Sequence, residues 1–406
     1  MNKITLSITS LIILYFLFSQ NHIYTFFISH SGSGSFFSDW EFIVQGLECK
    51  SNLQKCDFSY GGIFLLLPYT NEFNFFYYKI IPILFIILFV FYVVQIIDLK
   101  KPKYIFLTLL LIFNPSTLLA LERANTDILF FIILLTICYS RIYFLNFILI
   151  NFSFLAKYYP ITFFVNYFIE KKDRSNIKSL SLVFLSILLC SVFVYLDQDG
   201  LKGLIGKPGE TYFRIGAGWE YYFSIKAIPR VIRYIFDYNY IFVLFVWYSF
   251  FIFLIIKIYK YFEKLKIFKN LSLDRIEDKI FILGINTLFL CFILFSNWYY
   301  REIYLIASLP LLIRLKDEEK LNQINYIFTF IVLRYFFLFI YSYVLLQGTH
   351  HYIDGQRIFY NSFLFLATIK GAIDFILMSI LSSFLVFYNL KIIKKIKFRN
   401  LIKMKF

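Results

Sequence analysis

The chain has 406 residues, 60% of them hydrophobic and 23% aromatic, with 55 Phe and 33 Tyr, and carries a formal charge of +16. Its mean hydropathy is +0.70. A soluble domain has no means of hiding that much apolar surface, whereas a bilayer solvates it directly. The apolar runs are continuous rather than alternating, which excludes a β-barrel. Basic residues gather in short stretches between these runs, such as DLKKPK, EKKDRSNIK, KIYKYFEKLKIFKN and the tail KIIKKIKFRNLIKMKF. That placement suits topology signals and contact with membrane lipids, and argues against nucleic acid.

In chain order, apolar runs fall near 4–28, 75–97, 104–120, 127–140, 142–157, 160–170, 178–196, 239–257, 279–296, 302–314, 324–346 and 370–390. The first opens MNKITLSITSLIILYFLF without a small-x-small cleavage site, so an uncleaved span is expected rather than a signal peptide. Placing the basic connectors inside puts both termini in the cytoplasm and gives about twelve crossings. Several runs are shorter than the ~20 residues of a full crossing. Those from 104 to 170 and from 279 to 314 are expected to pair as short or tilted helices, their turns inside protein or a wet cavity. The predicted fold is an all-α polytopic membrane protein, a single integral-membrane domain over residues 1–406. Outer loops 30–74 and 197–238 would cap it, with short interfacial helices in them. AIPRVIRYIF, which has a basic and an apolar face, reads as one of these.

The outer segments hold the chemistry. In SGSGSFFSDWEFIVQG, from Ser31 to Gly46, Asp39 and Glu41 flank Trp40 just past the first span. Ser38 and Asp39 suit a helix N-cap, and an ionised Asp39 also suits a general base. LERANTD then supplies Glu122, Arg123, Asn125 and Asp127. One reading is a solvated hairpin with Asp127 as N-cap. The brief apolar stretch before it argues instead for a turn below the surface, where ionisable groups are costly and usually functional. LAKYYP pins Lys157 at a break between half-length spans, with Pro160 opening the next helix. An ammonium there suits a phosphate, or snorkels to the interface. SNWYYREIYLIASLPLL sets Arg301 and Glu302 after Trp298, Tyr299 and Tyr300, free to pair with each other or with neighbouring turns. Asp39, Arg123, Lys157 and Arg301 are expected to share one water-accessible hollow. Its cations would neutralise a leaving phosphate while a carboxylate takes a proton from an incoming hydroxyl.

These motifs resemble the integral-membrane glycosyltransferases of the GT-C superfamily, and most closely glycosyltransferase family 87, the polyprenyl-phosphate-mannose-dependent transferases and their bacterial relatives. The family pattern has an Asp with an aromatic neighbour in the first outer loop, then E-R-G-N-x-D, K-x-Y-P and N-x-x-Y-R. Here those positions read Asp39 and Trp40; Glu122, Arg123, Asn125 and Asp127; Lys157, Tyr159 and Pro160; and Asn297, Tyr300 and Arg301. Ala124 stands where the family usually has Gly. The likeness runs from the first outer loop to about residue 170 and again near 297–312, and does not extend to the long outer segment or the last two spans.

The resemblance implies a GT-C-like bundle in the bacterial inner membrane. It implies inverting transfer of a sugar, mannose or another hexose or pentose, at the extracytoplasmic face. The donor would be a polyprenyl-phosphate sugar and the acceptor a lipid-linked sugar or glycan, with no nucleotide sugar, cofactor or metal. Asp39 would be the base, with Glu41 in reserve; Arg123, Lys157 and Arg301 would hold the donor phosphate, with Arg230, Arg233 and Arg357 as looser candidates. Glu122, Asn125, Asp127, Tyr159, Asn297, Tyr300, His350, His351 and Arg357 would support them, and Trp40, Trp219 and Trp298 would stack on sugar rings.

His350, His351 and Asp354 have a metal-like look, but adjacent His side chains point in different directions on most backbones, so no metal site is assigned. Asp197 and Asp199 read as span-end caps. Cys138, Cys190 and Cys291 lie in apolar runs and read as packing residues, while Cys49 and Cys56 share the first outer loop, as a disulfide or as two thiols. Two rival readings remain. An O-antigen-type polymerase or ligase suits the 197–238 loop but not the acidic first loop and the early ERANTD. A transporter or flippase of lipid-linked sugars would show repeated halves and mid-membrane polar residues, of which Arg334 is the one clear mid-span charge.

Overall fold

The pair Asn114-Pro115 breaks one apolar run of this chain into two shorter helices. The computed structural model describes residues 2–19, 37–51, 62–99, 101–157, 159–169, 176–196, 222–236, 238–294, 297–317, 321–347, 350–353 and 356–395. Helix α1 (Lys3–Ser19) is followed by α2 (Ser38–Ser51), two 3-10 turns, and a π-helical turn Phe76–Ile80 that leads into α3 (Ile81–Ile96). Then come α4 (Pro102–Phe113), α5 (Pro115–Glu122), α6 (Thr126–Tyr139), α7 (Tyr143–Ala156), a 3-10 segment Tyr159–Val165, α8 (Asn166–Ile169) and α9 (Asn176–Leu196). The second half contains α10 (Ala227–Phe236), α11 (Tyr240–Lys264), α12 (Ile276–Leu294), a 3-10 segment Tyr299–Ser308, α13 (Leu309–Asp317), α14 (Asn322–Gln347) and α15 (Asn361–Lys395).

Among the described residues, four helices are long and apolar enough to cross a membrane: Phe76–Ile96, Tyr240–Lys264, Gln323–Val344 and Asn361–Lys394. The pair Pro102–Phe113 and Pro115–Glu122, bent by 49°, makes a fifth if taken as one broken span. The bend follows from the sequence Asn114-Pro115. Pro115 cannot continue the ladder of α4, and the Asn114 side chain accepts from the Ser116 and Thr117 N–H groups at 3.0 and 3.1 Å, starting α5 afresh. Two other runs that read as helices are largely 3-10: Tyr159–Val165, and the ten residues Tyr299–Ser308. Runs of that length are uncommon, because their hydrogen bonds are poorer than those of an α-helix.

The exceptions to an all-α fold among the described residues are two short antiparallel ribbons, Tyr222–Phe223 with Asn297–Trp298 and His350–Ile353 with Gln356–Phe359. The first joins the segment before α10 to the turn before Arg301. Helix α10 is amphipathic, as its sequence predicts, and lies so close to α15 that a Cβ on Gly371 would come within 2.9 Å of Ile228 Cγ1.

The end of the bundle away from α2 is tied by its own charges. Arg314 Nη2 meets Asp278 Oδ2 at 2.5 Å, the Tyr388 hydroxyl donates to Asp278, and Tyr104 and Lys101 reach Asp317 at 2.6 and 2.8 Å. Helix α12 rests directly on the second 3-10 segment, where a Cβ added at Gly284 would lie 2.2 Å from the Ala307 Cβ. Gly284→Ala is therefore expected to cost about 1–3 kcal/mol through overpacking, with Ala307→Gly restoring most of the loss; thermal unfolding of the single and double variants checks this.

Candidate functional site

The turn Glu122–Asp127 stops one helix and starts the next within a few residues. At the end of α5, Asn125 N–H reaches back to the Ala120 carbonyl at 3.0 Å and Ala124 N–H to the Leu121 carbonyl at 3.1 Å, the paired bonds of a Schellman C-cap. The motif needs a left-handed residue after the cap, and Ala124 supplies it with φ 44°. This is why glycine would suit the position. Asn125 then caps α6, its Oδ1 accepting the Asp127 N–H at 2.8 Å. The N-cap is thus Asn125 rather than Asp127. The turn is buried, with Ala124, Asn125 and Asp127 each at most 1% exposed.

Helix α2 docks head-on against this turn. Phe37 N–H donates to the Glu122 carbonyl at 2.7 Å and Asp39 N–H to the Arg123 carbonyl at 3.1 Å, so donors left over at one helix start meet acceptors left over at another helix end. The Asp39 side chain does not cap its own helix. Its Oδ1 accepts from Arg123 Nε at 3.0 Å and Nη2 at 2.5 Å, and its Oδ2 from Asn125 Nδ2. Trp40 is buried, its indole N–H donating to the Tyr77 carbonyl at 2.9 Å and its ring edge-on to Phe85. Its expected role on a sugar ring is therefore corrected to a core role. Glu41 turns along α2, where Gln45 Nε2 reaches it at 3.4 Å.

Asp127, in the first turn of α6, is the second hub. Lys157 Nζ lies 3.2 Å from its Oδ1 and Arg301 Nε 3.2 Å from its Oδ2, with the carboxylate fully buried. Lys157 is held in extended backbone at the break after α7, and Asp39 is close enough to act on it electrostatically. Tyr159 packs between the two cations, its ring centroid 5.7 Å from Lys157 Nζ and 4.9 Å from Arg301 Cζ. Tyr304, which sequence reading passed over, donates to the Asp127 carbonyl at 3.4 Å. Among the described residues, the carboxylates Asp39 and Asp127 pair with three cations, Arg123, Lys157 and Arg301. Glu122 is buried beside them; its carbonyl serves Phe37, and its carboxyl forms no ion pair among the described residues.

Glu302 belongs to a different network. Its carboxylate meets Arg334 and, at 3.3 Å, Lys370; Arg334 Nε and Lys370 Nζ each reach Asp374 at 2.8 Å. All of these residues are at least 95% buried. Arg334 is thus not the one mid-span charge, since α15 contributes Lys370 and Asp374 as well. The available signal was the i,i+4 pair in IKGAID, inside an apolar run.

Cys49, on α2, is disulfide-bonded, while Cys138, Cys190 and Cys291 are buried free thiols. Cys56, Asp197, Asp199, Trp219 and Asp354 lie outside the described residues, as do the side chains of Asn297, Trp298, Tyr300, His350, His351 and Arg357. The hairpin register nevertheless sets His351 opposite Ile358 and Tyr352 opposite Arg357. Arg230 is buried in α10, and Arg233 packs over the Tyr240 ring at 5.6 Å. Among the described residues, no group of three His, Cys, Asp or Glu side chains is placed to hold a metal ion. No family model, curated protein or solved structure matches the chain.

Two expectations follow. Ala124→Gly should leave the turn intact and raise stability by up to ~1 kcal/mol, whereas Ala124→Val should lower it, both read by thermal unfolding. Lys370→Met should cost about 3–5 kcal/mol by leaving two buried carboxylates, Glu302 and Asp374, to share the one cation Arg334, and adding Glu302→Gln should recover much of that loss.

Proposed function

We propose that this chain is an inverting membrane glycosyltransferase of GT-C type, working at the end of the bundle that carries α2. It would move a sugar from a polyprenyl-phosphate donor to a hydroxyl of a lipid-linked or glycan acceptor. The single observation that carries the reading is the meeting of Asp39, Arg123, Asn125, Asp127, Lys157 and Arg301. They come from four separate segments and join in one buried, ion-paired centre. The disulfide-bonded Cys49 on α2 supports an oxidising, extracytoplasmic side for that end. On this reading the short apolar helices pair to complete about twelve crossings, and the basic connectors keep both termini cytoplasmic.

The acceptor oxygen attacks the anomeric carbon as the bond from that carbon to the phosphate oxygen breaks, and the electron pair leaves with the polyprenyl phosphate. Asp39 takes the hydroxyl proton, oriented by Arg123 and Asn125, each of which holds a different carboxylate oxygen. Lys157 and Arg301 neutralise the charge developing on the phosphate, and Arg123 adds its field. Donor sugar and acceptor are left open between hexose and pentose and between lipid and glycan.

The buried Glu302–Arg334–Asp374–Lys370 network favours the second reading, a transporter of lipid-linked sugars, because intramembrane charges mark transport paths as well as structural ties. Incubating purified protein with a radiolabelled polyprenyl-phosphate sugar and acceptor separates the two. New glycosidic product without a nucleotide sugar supports transfer, and sugar movement without product supports transport. Asp39→Asn is expected to lower turnover by about 10²–10⁴-fold while leaving donor binding in place. Arg301→Ala is expected to raise the donor KM by about tenfold or more, and an unchanged value removes Arg301 from the phosphate.

A further inference from the structure

The 3-10 segment Tyr299–Ser308 sorts its side chains by a period of three, since successive residues of such a helix leave it about 120° apart and every third one eclipses. Arg301, Tyr304 and Ala307 therefore share one edge. Arg301 Nε and the Tyr304 hydroxyl both meet Asp127, at 3.2 and 3.4 Å, and Ala307 faces Gly284 of α12. Glu302 is turned a third of a circle from that edge. Its carboxylate points away from the charged centre, to α14 and α15.

There Glu302 closes a circuit of four buried charges that the proposed transfer does not use. One of its oxygens meets Arg334 and the other lies 3.3 Å from Lys370 Nζ, while Asp374 meets the same two cations at 2.8 Å each. Two anions and two cations balance, so the circuit is neutral as well as closed. Lys370 Nζ is further enclosed by the rings of Phe223 and Tyr341, at 5.9 and 5.8 Å. Phe223 packs on Phe292 and belongs to the ribbon whose other strand is Asn297–Trp298. The backbone is thus fixed on both sides of Arg301, by the ribbon before it and by the circuit at Glu302.

We infer that Glu302 is a positioning residue, whose tie to Arg334, Asp374 and Lys370 sets the direction of Arg301 toward Asp127. The part this plays in turnover rests on the glycosyl-transfer reading, in which Arg301 neutralises the leaving phosphate. The poorer hydrogen bonds of a 3-10 helix hold its register weakly. An anchor outside the segment supplies what they lack, because turning the segment about its axis would pull Glu302 out of the circuit. A buried carboxylate resists that strongly.

The test uses the full chain in phospholipid nanodiscs and the variant Glu302→Leu/Lys370→Met, which removes one anion and one cation and leaves Arg334 paired with Asp374. Phenylglyoxal, an arginine reagent, is applied and its rate at each arginine is read by peptide mass spectrometry. The rate at Arg301 is expected to rise about fivefold or more over the original protein, while Arg123, held by Asp39 on α2, keeps its rate. No change at Arg301 overturns the assignment, and so does an equal rise at both arginines, which shows general loosening. Should the double variant not fold, Glu302→Gln takes its place with the same outcomes. In the transfer assay the variant is expected to raise the donor KM about tenfold, as Arg301→Ala does, with the acceptor KM unmoved. Combining it with Arg301→Ala should do no more than Arg301→Ala alone, and effects that multiply overturn a role through Arg301. Selective reactivity of Arg301 in a protein that forms no glycosidic product keeps the positioning role and removes the transfer reading. Product formation with a donor KM that responds to Arg301→Ala but not to the Glu302 variants does the reverse.

Discussion

A carboxylate or cation taken out of water and surrounded by Ile, Leu and Phe costs several kcal/mol unless an opposite charge meets it. In this protein that constraint organises the fold. Asp127 answers both Lys157 and Arg301, Asp39 answers Arg123, Glu302 and Asp374 answer Arg334 and Lys370, and Asp278 answers Arg314. Apart from the i,i+4 pair Lys370–Asp374, the partners in these knots come from different elements, so each charge finds its partner only when distant segments have docked. Folding and assembly of the charged centre are then one event. Because Arg301 and Glu302 are neighbours in sequence yet answer different knots, the 3-10 segment that starts at Tyr299 is held at its beginning from two sides.

Helix ends do the fine positioning. Long spans deliver side chains to a depth, but a side chain at a helix terminus is also fixed in direction by the cap around it. Asn125 shows this best: its backbone closes the C-cap of α5, its Oδ1 opens α6, and its Nδ2 holds Asp39. The dipole ends agree with the chemistry, since Asp39 and Asp127 each occupy the first turn of a helix, where negative charge is favoured. A backbone break at Lys157 likewise sets its ammonium at Asp127 instead of letting it snorkel to the interface.

Much of this was readable from sequence because it depends on local signals. Short apolar runs between the polar motifs foretold bent and broken helices, and the brief stretch before ERANTD foretold a buried turn. The motifs around Asp39, Arg123, Lys157 and Arg301 do meet. Hidden were the features set by three-dimensional partners. An apolar run says nothing about whether its hydrogen bonds are α or 3-10, so Tyr159–Val165 and Tyr299–Ser308 read as ordinary helix. Trp40 looked available because aromatic residues after a span often lie at the interface, yet Phe64, Phe85 and the Tyr77 carbonyl enclose it. Lys370 and Asp374 went unremarked because their value lies in Glu302 and Arg334, on other elements.

The paired state of the centre bears on how it would treat a phosphate. Lys157 and Arg301 are already satisfied by Asp127, so an incoming anion gains only the difference between its own contacts and those it shares or weakens. That lowers affinity for the ground state. On the glycosyl-transfer reading it would also keep both cations dehydrated and aimed, so that little reorganisation would be needed as charge built on a leaving oxygen. Asp127 therefore acts as a stand-in anion. It makes the buried cations tolerable, and on the glycosyl-transfer reading a departing phosphate would compete with it for Lys157 and Arg301.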